Sequence, residues 1–359
     1  MDSQGPQRIF HYYDPAVGLR AVVVIDTVRF GISAGGVRMA ADLTLEEMVR
    51  LARAMSYKFA MLDMPCGGAK AGIWLDPSDP RRSRVMHAFL DAIRPLLDSR
   101  AYMAGPDMGT SSNDFESVSQ SSACAPSLGA QIHEGLPLED QLTGFGVVVA
   151  TRTAAERLGW SLREARVAIE GFGKVGTGAV KYFAREGARL VAVSTLRGAL
   201  LDPNGLDIDR LLALRVSHGD ALVEAYDPKC KPIAASALFG VPCDILVPGA
   251  RPDAIHAGNV GSIQAKLVVP AANMPYAPWT TATLAQHGIV AIPDFVSNAG
   301  GVLAGLVEMQ GGGVDDAFTT VRERVAYSTG LVLNEAEAAG CTPYEAAVAI
   351  CQRRLAIAG

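Results

Sequence analysis

The feature that most constrains this chain is a short apolar segment, RVAIE at residues 166–170, running straight into Gly171-Phe172-Gly173-Lys174-Val175-Gly176. A glycine triplet alone is weak evidence. Here a strand pattern precedes it and a helical pattern over 174–187 follows it, which is the context a dinucleotide fold requires. Gly171 permits the tight turn, Gly173 lets backbone approach a pyrophosphate, and Gly176 lets helix pack on strand. Phe172, Lys174 and Val175 complete the loop and open the helix, whose N-terminus attracts phosphate. Residues 189–194 read as a second strand, and further short apolar runs ended by Pro recur at 244–248, 266–270 and 289–293. They read as buried parallel strands, so the expected fold class is α/β, with a Rossmann-like, doubly wound dinucleotide-binding domain.

The second strand of such a domain usually ends in an acid that binds the ribose hydroxyls. Here it ends Ser194-Thr195-Leu196-Arg197 with no carboxylate. A 2′-phosphate is therefore not repelled, and Arg197 is a candidate partner for it. The cofactor is expected to be NAD or NADP, with Ser194 and Thr195 at the ribose.

The N-terminal third has a different texture. Residues 20–26 read as a strand. Residues 44–61 read as an amphipathic helix in which Thr44 and Glu47 have capping-box spacing. Residues 82–98 read as another helix, and MPCGGAKAG and GPDMGTSSN read as loops. The chain ends in helices at about 316–339 and 343–357, the second opened by Thr342, Pro343 and Glu345 as cap, first-turn proline and capping-box acid. With 359 residues and 49% hydrophobic content, two domains are expected. No stretch approaches the roughly 20 apolar residues of a membrane helix. The N-terminus lacks a basic and then apolar leader pattern. A net charge of -5 gives no reason to expect nucleic acid as a partner. Cys66, Cys124, Cys230, Cys243, Cys341 and Cys351 form no CxxC pair, and the six histidines are scattered. Reduced thiols, no metal site and a cytoplasmic location are the expectation.

Two lysines, Lys58 and Lys70, lie 12 positions apart. Oxidative deamination by hydride transfer needs a cation for the substrate carboxylate, a base with a lowered pKa, and a carboxylate to shuttle protons. Lys58 sits near the end of the amphipathic helix, Lys70 in the glycine-rich segment, and Asp107 in GPDMGT. Each taken alone is an ordinary surface or turn residue; as a set they match that chemistry.

The set resembles the glutamate/leucine/phenylalanine/valine dehydrogenase family over about residues 10–355. The matching segments are SAGGVRM (33–39), MSYKFAMLDMPCGGAKAGI (55–73), AGPDMGT (104–110), TGFGV (143–147), EGFGKVG (170–176), LDPNGLD (201–207), VPAANMP (269–275) and IPDFVSNAGGV (292–302). The resemblance implies that Lys58 binds the substrate carboxylate, Lys70 polarises the attacking water and Asp107 transfers protons. Asn298 would hold substrate near the nicotinamide, and Thr143 and Asn273 would contact the nicotinamide-ribose end. It also implies a substrate/catalytic domain at 1–138 and 326–359, with the final helices returning to it, a dinucleotide domain at 139–325, and a homo-oligomer.

Departures from the family pattern bear on the substrate. Members acting on glutamate carry a lysine before the glycine pair, where this chain has Ala34, and a serine after NAGG, where it has Gly305. A buried glutamate carboxylate without those partners would cost several kcal/mol. Pro106 also departs from the pattern but leaves Asp107 in place. Ala34 and Gly305 thus predict a nonpolar or aromatic L-amino acid substrate, deaminated to its 2-oxo acid and ammonia. The alternatives are a glutamate dehydrogenase that uses other anchors, Arg38 being the local candidate, or a catalytically silent nucleotide-binding homologue. A 2-hydroxy acid dehydrogenase fits poorly, because no histidine sits in a suitable motif.

Overall fold

The computed structural model describes residues 5–115, 128–227, 230 and 232–356. The chain divides into two compact units, Met1–Pro126 with Ile350–Gly359, and Ser127–Ala349. The α/β class expected from sequence holds for both.

In the first unit, β1 (Arg8–Asp14), β2 (Leu19–Ile25), β3 (Ser33–Met39), β4 (Gly67–Ile73) and β5 (Met103–Pro106) form one sheet in the order β1-β2-β4-β3-β5. Helix α1 (Leu45–Met61) starts where its cap residue places it: the Glu47 backbone N–H donates to Thr44 Oγ1 at 3.1 Å. The predicted helix over 82–98 is two, α2 (Arg82–Ala92) and α3 (Arg94–Asp98), divided at Ile93 just before Pro95.

Residues 67–73 are not a loop. They form β4, which pairs antiparallel with β2 and parallel with β3 and is buried along its whole length. Ala69, Ala71 and Ile73 join the core with Val37, Met39, Phe89 and Tyr102. The other face lies under α1, and its glycines have a steric reason. A Cβ at Gly68 would come within 2.1 Å of the Ser56 nitrogen, and one at Gly72 within 2.8 Å of Met48 Sδ. A strand covered on both faces by helices shows no alternation of polar and apolar residues, so the turn-like composition dominated the sequence pattern.

The second unit opens with α4 (Leu138–Arg157), a helix the sequence pattern did not mark. It is covered by neighbours on most of its circumference, so it has no polar stripe from which to read a helical period. It packs on α5 (Lys174–Arg185), with Gly144 where a Cβ would come within 2.4 Å of the Ala179 nitrogen. The glycine triplet lies between β8 (Arg166–Glu170) and α5, as expected, and β9 (Arg189–Thr195) follows. After β10 (Gly198–Leu201) come helices α6 (Ile208–His218) and α7 (Leu222–Ala225). The strands β11 (Ile245–Pro248), β12 (Leu267–Val268) and β13 (Val290–Ala291) then complete a sheet ordered β10-β9-β8-β11-β12-β13. All neighbours from β9 to β13 are parallel, and β10 is antiparallel to β9. The chain order reverses between β8 and β11, and in such sheets a ligand sits outside the carboxyl ends of the strands at that reversal. The small strands β6 (Ile132–His133) and β7 (Leu136–Pro137) pair beside α4.

Helices α8 (Thr280–Gln286), α9 (Asp294–Ser297), α10 (Gly300–Met309), α11 (Val314–Ala339) and α12 (Pro343–Ala356) finish the chain. Helix α11 packs against α4 and α10 and belongs wholly to the second unit. The division therefore falls at 126/127 and 349/350, not at 138/139 and 325/326. The last turns of α12 group with the first unit, where Arg354 donates to the carbonyls of Ala60 and Met61 at the end of α1. Thr342 and Glu345 form the expected capping box, exchanging bonds of 3.2 and 2.9 Å. Among the described residues, no helix is long and apolar enough to cross a membrane. Burial pushes the thiols of Cys66, Cys243 and Cys351 up to about 12, which keeps them protonated. Cys124 lies outside the described residues.

Candidate active site

Two sets of side chains emerge, one in each unit. In the first, strand alternation places Ala34, Gly36 and Arg38 of β3 on the face opposite the core residues Val37 and Met39. On β4 the same alternation turns Gly68, Lys70 and Gly72 toward α1. Lys70 is almost fully buried, 3% exposed, yet its Nζ lies 2.7 Å from Asp107 Oδ2. Asp107 follows the last residue of β5, whose register with β3 sets Pro106 opposite Val37. Arg38 therefore also reaches Asp107, its Nε donating to Oδ2 at 3.0 Å, while its NH1 donates to Glu47 Oε1 at 2.7 Å. The Asp107 loop is pinned by Thr110, whose Oγ1 accepts from the Asp107 amide at 2.9 Å and donates to the Val37 carbonyl at 2.8 Å.

Burial alone would raise the Asp107 carboxyl. The charges of Lys70 and Arg38, the Lys70 hydrogen bond and the Met108 amide outweigh it and hold Asp107 well below the ordinary carboxylate range. Gly36 leaves room for the pair: a Cβ there would lie 2.8 Å from Asp107 Cβ and 3.3 Å from Lys70 Nζ. Lys58, in the last turn of α1, is buried at 5% exposure, an unusual position for a lysine. Ala34 is half-buried on β3. Gly36, Glu47 and Thr110 were not among the predicted site residues, and Arg38 was named only as a side-chain anchor in the alternative reading. The sequence signal for Gly36 and Arg38 was the β3 alternation, which becomes visible only once SAGGVRM is known to be a strand.

In the second unit a cavity of ≈ 1040 Å³ opens at the sheet's reversal point. Its lining includes Gly171, Phe172, Gly173, Ser194, Thr195 and the segment from Gly249 to Ala254. Gly171 has φ +88, which favours glycine. A Cβ at Gly173 would meet nothing within 4 Å, so that backbone faces open space. A Cβ at Gly176 would come within 2.1 Å of the Gly171 carbonyl oxygen. These are the three roles expected of the glycines. Ser194 fixes the turn, with its Oγ accepting from the Gly171 amide at 3.1 Å and its carbonyl from the Phe172 amide at 2.8 Å. Across the reversal, the Gly249 and Ala250 amides donate to Glu170 Oε2, both at 3.0 Å. Lys174, Val175 and Gly176 form the first turn of α5 and do not line this cavity. Arg197 does not line it either. It pairs with Glu224 at 2.8 Å on the exposed surface.

Thr143, Asn273 and Asn298 lie apart from that lining. Asn298 caps α9 and is 5% exposed; its Nδ2 donates to the Ala272 carbonyl and to Asn273 Oδ1 at 3.1 and 3.0 Å. Asn298 Oδ1 is buried with no hydrogen-bond donor among the described residues, an acceptor still to be satisfied. Thr143 Oγ1 donates to the Glu139 carbonyl and accepts from the Gly301 amide, so it joins α4 to the start of α10. At Gly305 on α10, a Cβ would enter open space.

The open Gly173 backbone, the left-handed Gly171 and the unsatisfied Asn298 acceptor fit a nicotinamide dinucleotide. Comparison with known proteins agrees. The Glutamate/Leucine/Phenylalanine/Valine dehydrogenase profile matches residues 135–358, and the family's dimerisation-domain profile matches residues 6–123. An NAD-specific glutamate dehydrogenase of Staphylococcus aureus is 35% identical over 289 residues, covering 77% of this chain and 69% of the relative. The NADP-specific glutamate dehydrogenase A1 of Halobacterium salinarum is 32% identical over 286 residues, covering 76% and 68%. Among solved structures, a hetero-hexameric glutamate dehydrogenase from Thermus thermophilus in a leucine-bound form superposes with a TM-score of 0.86 at 27% identity, covering 99% of this chain and 89% of that one. This chain belongs to the glutamate/leucine/phenylalanine/valine dehydrogenase family, the NAD- or NADP-dependent amino acid dehydrogenases that act on CH–NH2 groups.

Proposed function

We propose that the chain oxidises an L-amino acid with a nonpolar or aromatic side chain to the 2-oxo acid and ammonia, and catalyses the reverse amination. The observation that carries the chemistry is the buried Lys70–Asp107 contact of 2.7 Å. A nicotinamide dinucleotide held at the Gly171-Phe172-Gly173 loop would supply the hydride acceptor for the substrate α-carbon. Lys58 neutralises the α-carboxylate. Lys70 polarises a water against the imino carbon, and Asp107, held as a carboxylate, accepts and returns the proton at Lys70 Nζ. The acceptor on Asn298 orients a donor of substrate or nicotinamide, with Asn273 and Thr143 at the ribose end. The working protein is a homo-oligomer, as the dimerisation-domain match suggests.

The substrate preference rests on Ala34 and Gly305, which offer no charge for a side-chain carboxylate. Arg38 is no substitute, because its guanidinium already serves Asp107 and Glu47. Each buried methylene contributes about 0.8 kcal/mol, so leucine, valine and phenylalanine should differ by modest factors rather than absolutely. A panel of L-amino acids at alkaline pH, followed by NADH and NADPH formation, tests the reading. Turnover of leucine, valine, phenylalanine or tryptophan above glutamate is expected. The names of the curated relatives favour glutamate as the second reading, and a glutamate rate above all others would establish it.

Gly173→Val provides a separate check on the nucleotide site. The new side chain would enter open space, so thermal stability should change little, while NADH affinity by fluorescence titration should fall at least about tenfold. Unchanged affinity would remove the glycine loop from the binding site.

A further inference from the structure

The adenosine end of the nucleotide cavity lacks the usual acid on its second strand, yet it is not without charge. Arg215, in the last turn of α6, and Asp220, in the turn that follows, both line the cavity beside Ser194, Thr195 and Leu196. Their placement is built in. Thr195 Oγ1 donates to the Asp220 carbonyl at 2.7 Å, tying the turn to the end of β9. Gly219, at φ +56, ends α6 between the two residues. The Arg215 guanidinium pairs with the Asp220 carboxylate, and both side chains remain about a third exposed, at 30% and 37%. An ion pair so placed is weak enough for a ligand to displace.

We propose that Arg215 and Asp220 select the cofactor. Asp220 accepts hydrogen bonds from the adenosine ribose hydroxyls of NAD(H), replacing the acid missing from the strand. Arg215 binds the 2′-phosphate of NADP(H), for which a guanidinium offers paired donors. The two are set against each other: Asp220 occupies Arg215 and opposes a 2′-phosphate, so its loss frees Arg215 for NADP(H). Both sit in sequence beyond the window in which a ribose-binding acid is sought, which is why Ser194-Thr195-Leu196-Arg197 gave no sign of them. The inference rests on the nucleotide-site reading above.

The test measures binding, not turnover. NADH, NADPH, AMP and adenosine 2′,5′-bisphosphate are titrated against the wild-type protein and the variants Arg215→Ala, Arg215→Lys and Asp220→Asn. Arg215→Ala should weaken NADPH and the bisphosphate at least about tenfold, with NADH and AMP within about threefold, and Arg215→Lys should recover part of the loss. Asp220→Asn should weaken NADH and AMP and tighten NADPH, raising the NADPH-to-NADH affinity ratio at least about tenfold. Parallel changes for all four ligands, or none, overturn the inference while the nucleotide site stands. A wild-type protein that binds neither dinucleotide overturns the site itself, and this inference with it.

Discussion

Lys70→Ala is expected to lower the deamination rate by about 10³-fold or more while leaving the protein folded and able to bind nucleotide. A positioned acid–base group contributes roughly 10²–10⁴-fold, and on the proposed assignment Lys70 also orients the attacking water. The fold should tolerate the loss because Asp107 keeps a cationic partner, the Arg38 Nε at 3.0 Å. The reciprocal change is harsher on stability. Asp107→Ala would leave Lys70, 3% exposed, without the carboxylate 2.7 Å away, and stranding a buried charge costs about 3–5 kcal/mol. Both variants should lose activity, but Asp107→Ala should also unfold at lower urea. Equal stabilities would show that the pair is not electrostatically coupled, and a Lys70→Ala protein of near-normal rate would overturn its catalytic role.

The same pair fixes a sign for pH. The folded-state value of Asp107 is depressed below the ordinary carboxylate value of about 3.9, because Lys70 and Arg38 outweigh the opposing effect of burial. Its contribution to stability is therefore present at every pH above that ordinary value and is lost as the pH falls through the folded-state value. Acid unfolding should begin at a higher pH when Lys70 is replaced, since one of the two cations that depress Asp107 is gone.

Gly68→Val should cost about 4 kcal/mol or more in urea unfolding. A Cβ there would stand 2.1 Å from the Ser56 nitrogen and 2.6 Å from the Ala52 carbonyl oxygen, both helix backbone, so α1 must move. Moving α1 pulls apart a buried network: Ser56 Oγ donates to Asp26 Oδ2 at 2.5 Å, and Arg53 Nε binds the same carboxylate at 2.8 Å. Asp26 is fully buried, so losing these donors costs several kcal/mol beyond the steric clash. Gly105→Ala on β5 is the control, because a Cβ there meets nothing within 4 Å. If Gly68→Val and Gly105→Ala unfold alike, the packing of α1 on β4 is not what the glycine protects.

Part of the nucleotide half of the molecule was legible in the sequence. Three of its apolar runs end in Pro, at 248, 270 and 293, and its loop glycines have separate steric duties, local properties that a linear pattern records. The same is true of Thr44 and Thr342, whose side chains fix helix starts within three residues of themselves. Lys58, Lys70 and Asp107 were readable as candidates through the resemblance of the segments that carry them.

What the sequence could not decide was which groups face one another. Lys70 looked like a loop residue because a strand buried on both faces by helices needs glycine for close approach, and glycine in a linear pattern signals a turn. Helix α4 was invisible for the related reason that a helix surrounded by protein has no polar face. Arg38 reached Asp107 only through the pairing of β3 with β5, and Arg215 and Asp220 came to the end of β9 from the far side of another helix. Composition and spacing determined the fold class and the glycine loop, and the resemblance to a known family singled out Lys58, Lys70 and Asp107 as candidates. Sheet register and helix packing alone decided that Lys70 is buried against an ionised Asp107, and which charges meet the ribose, because those contacts join residues distant along the chain.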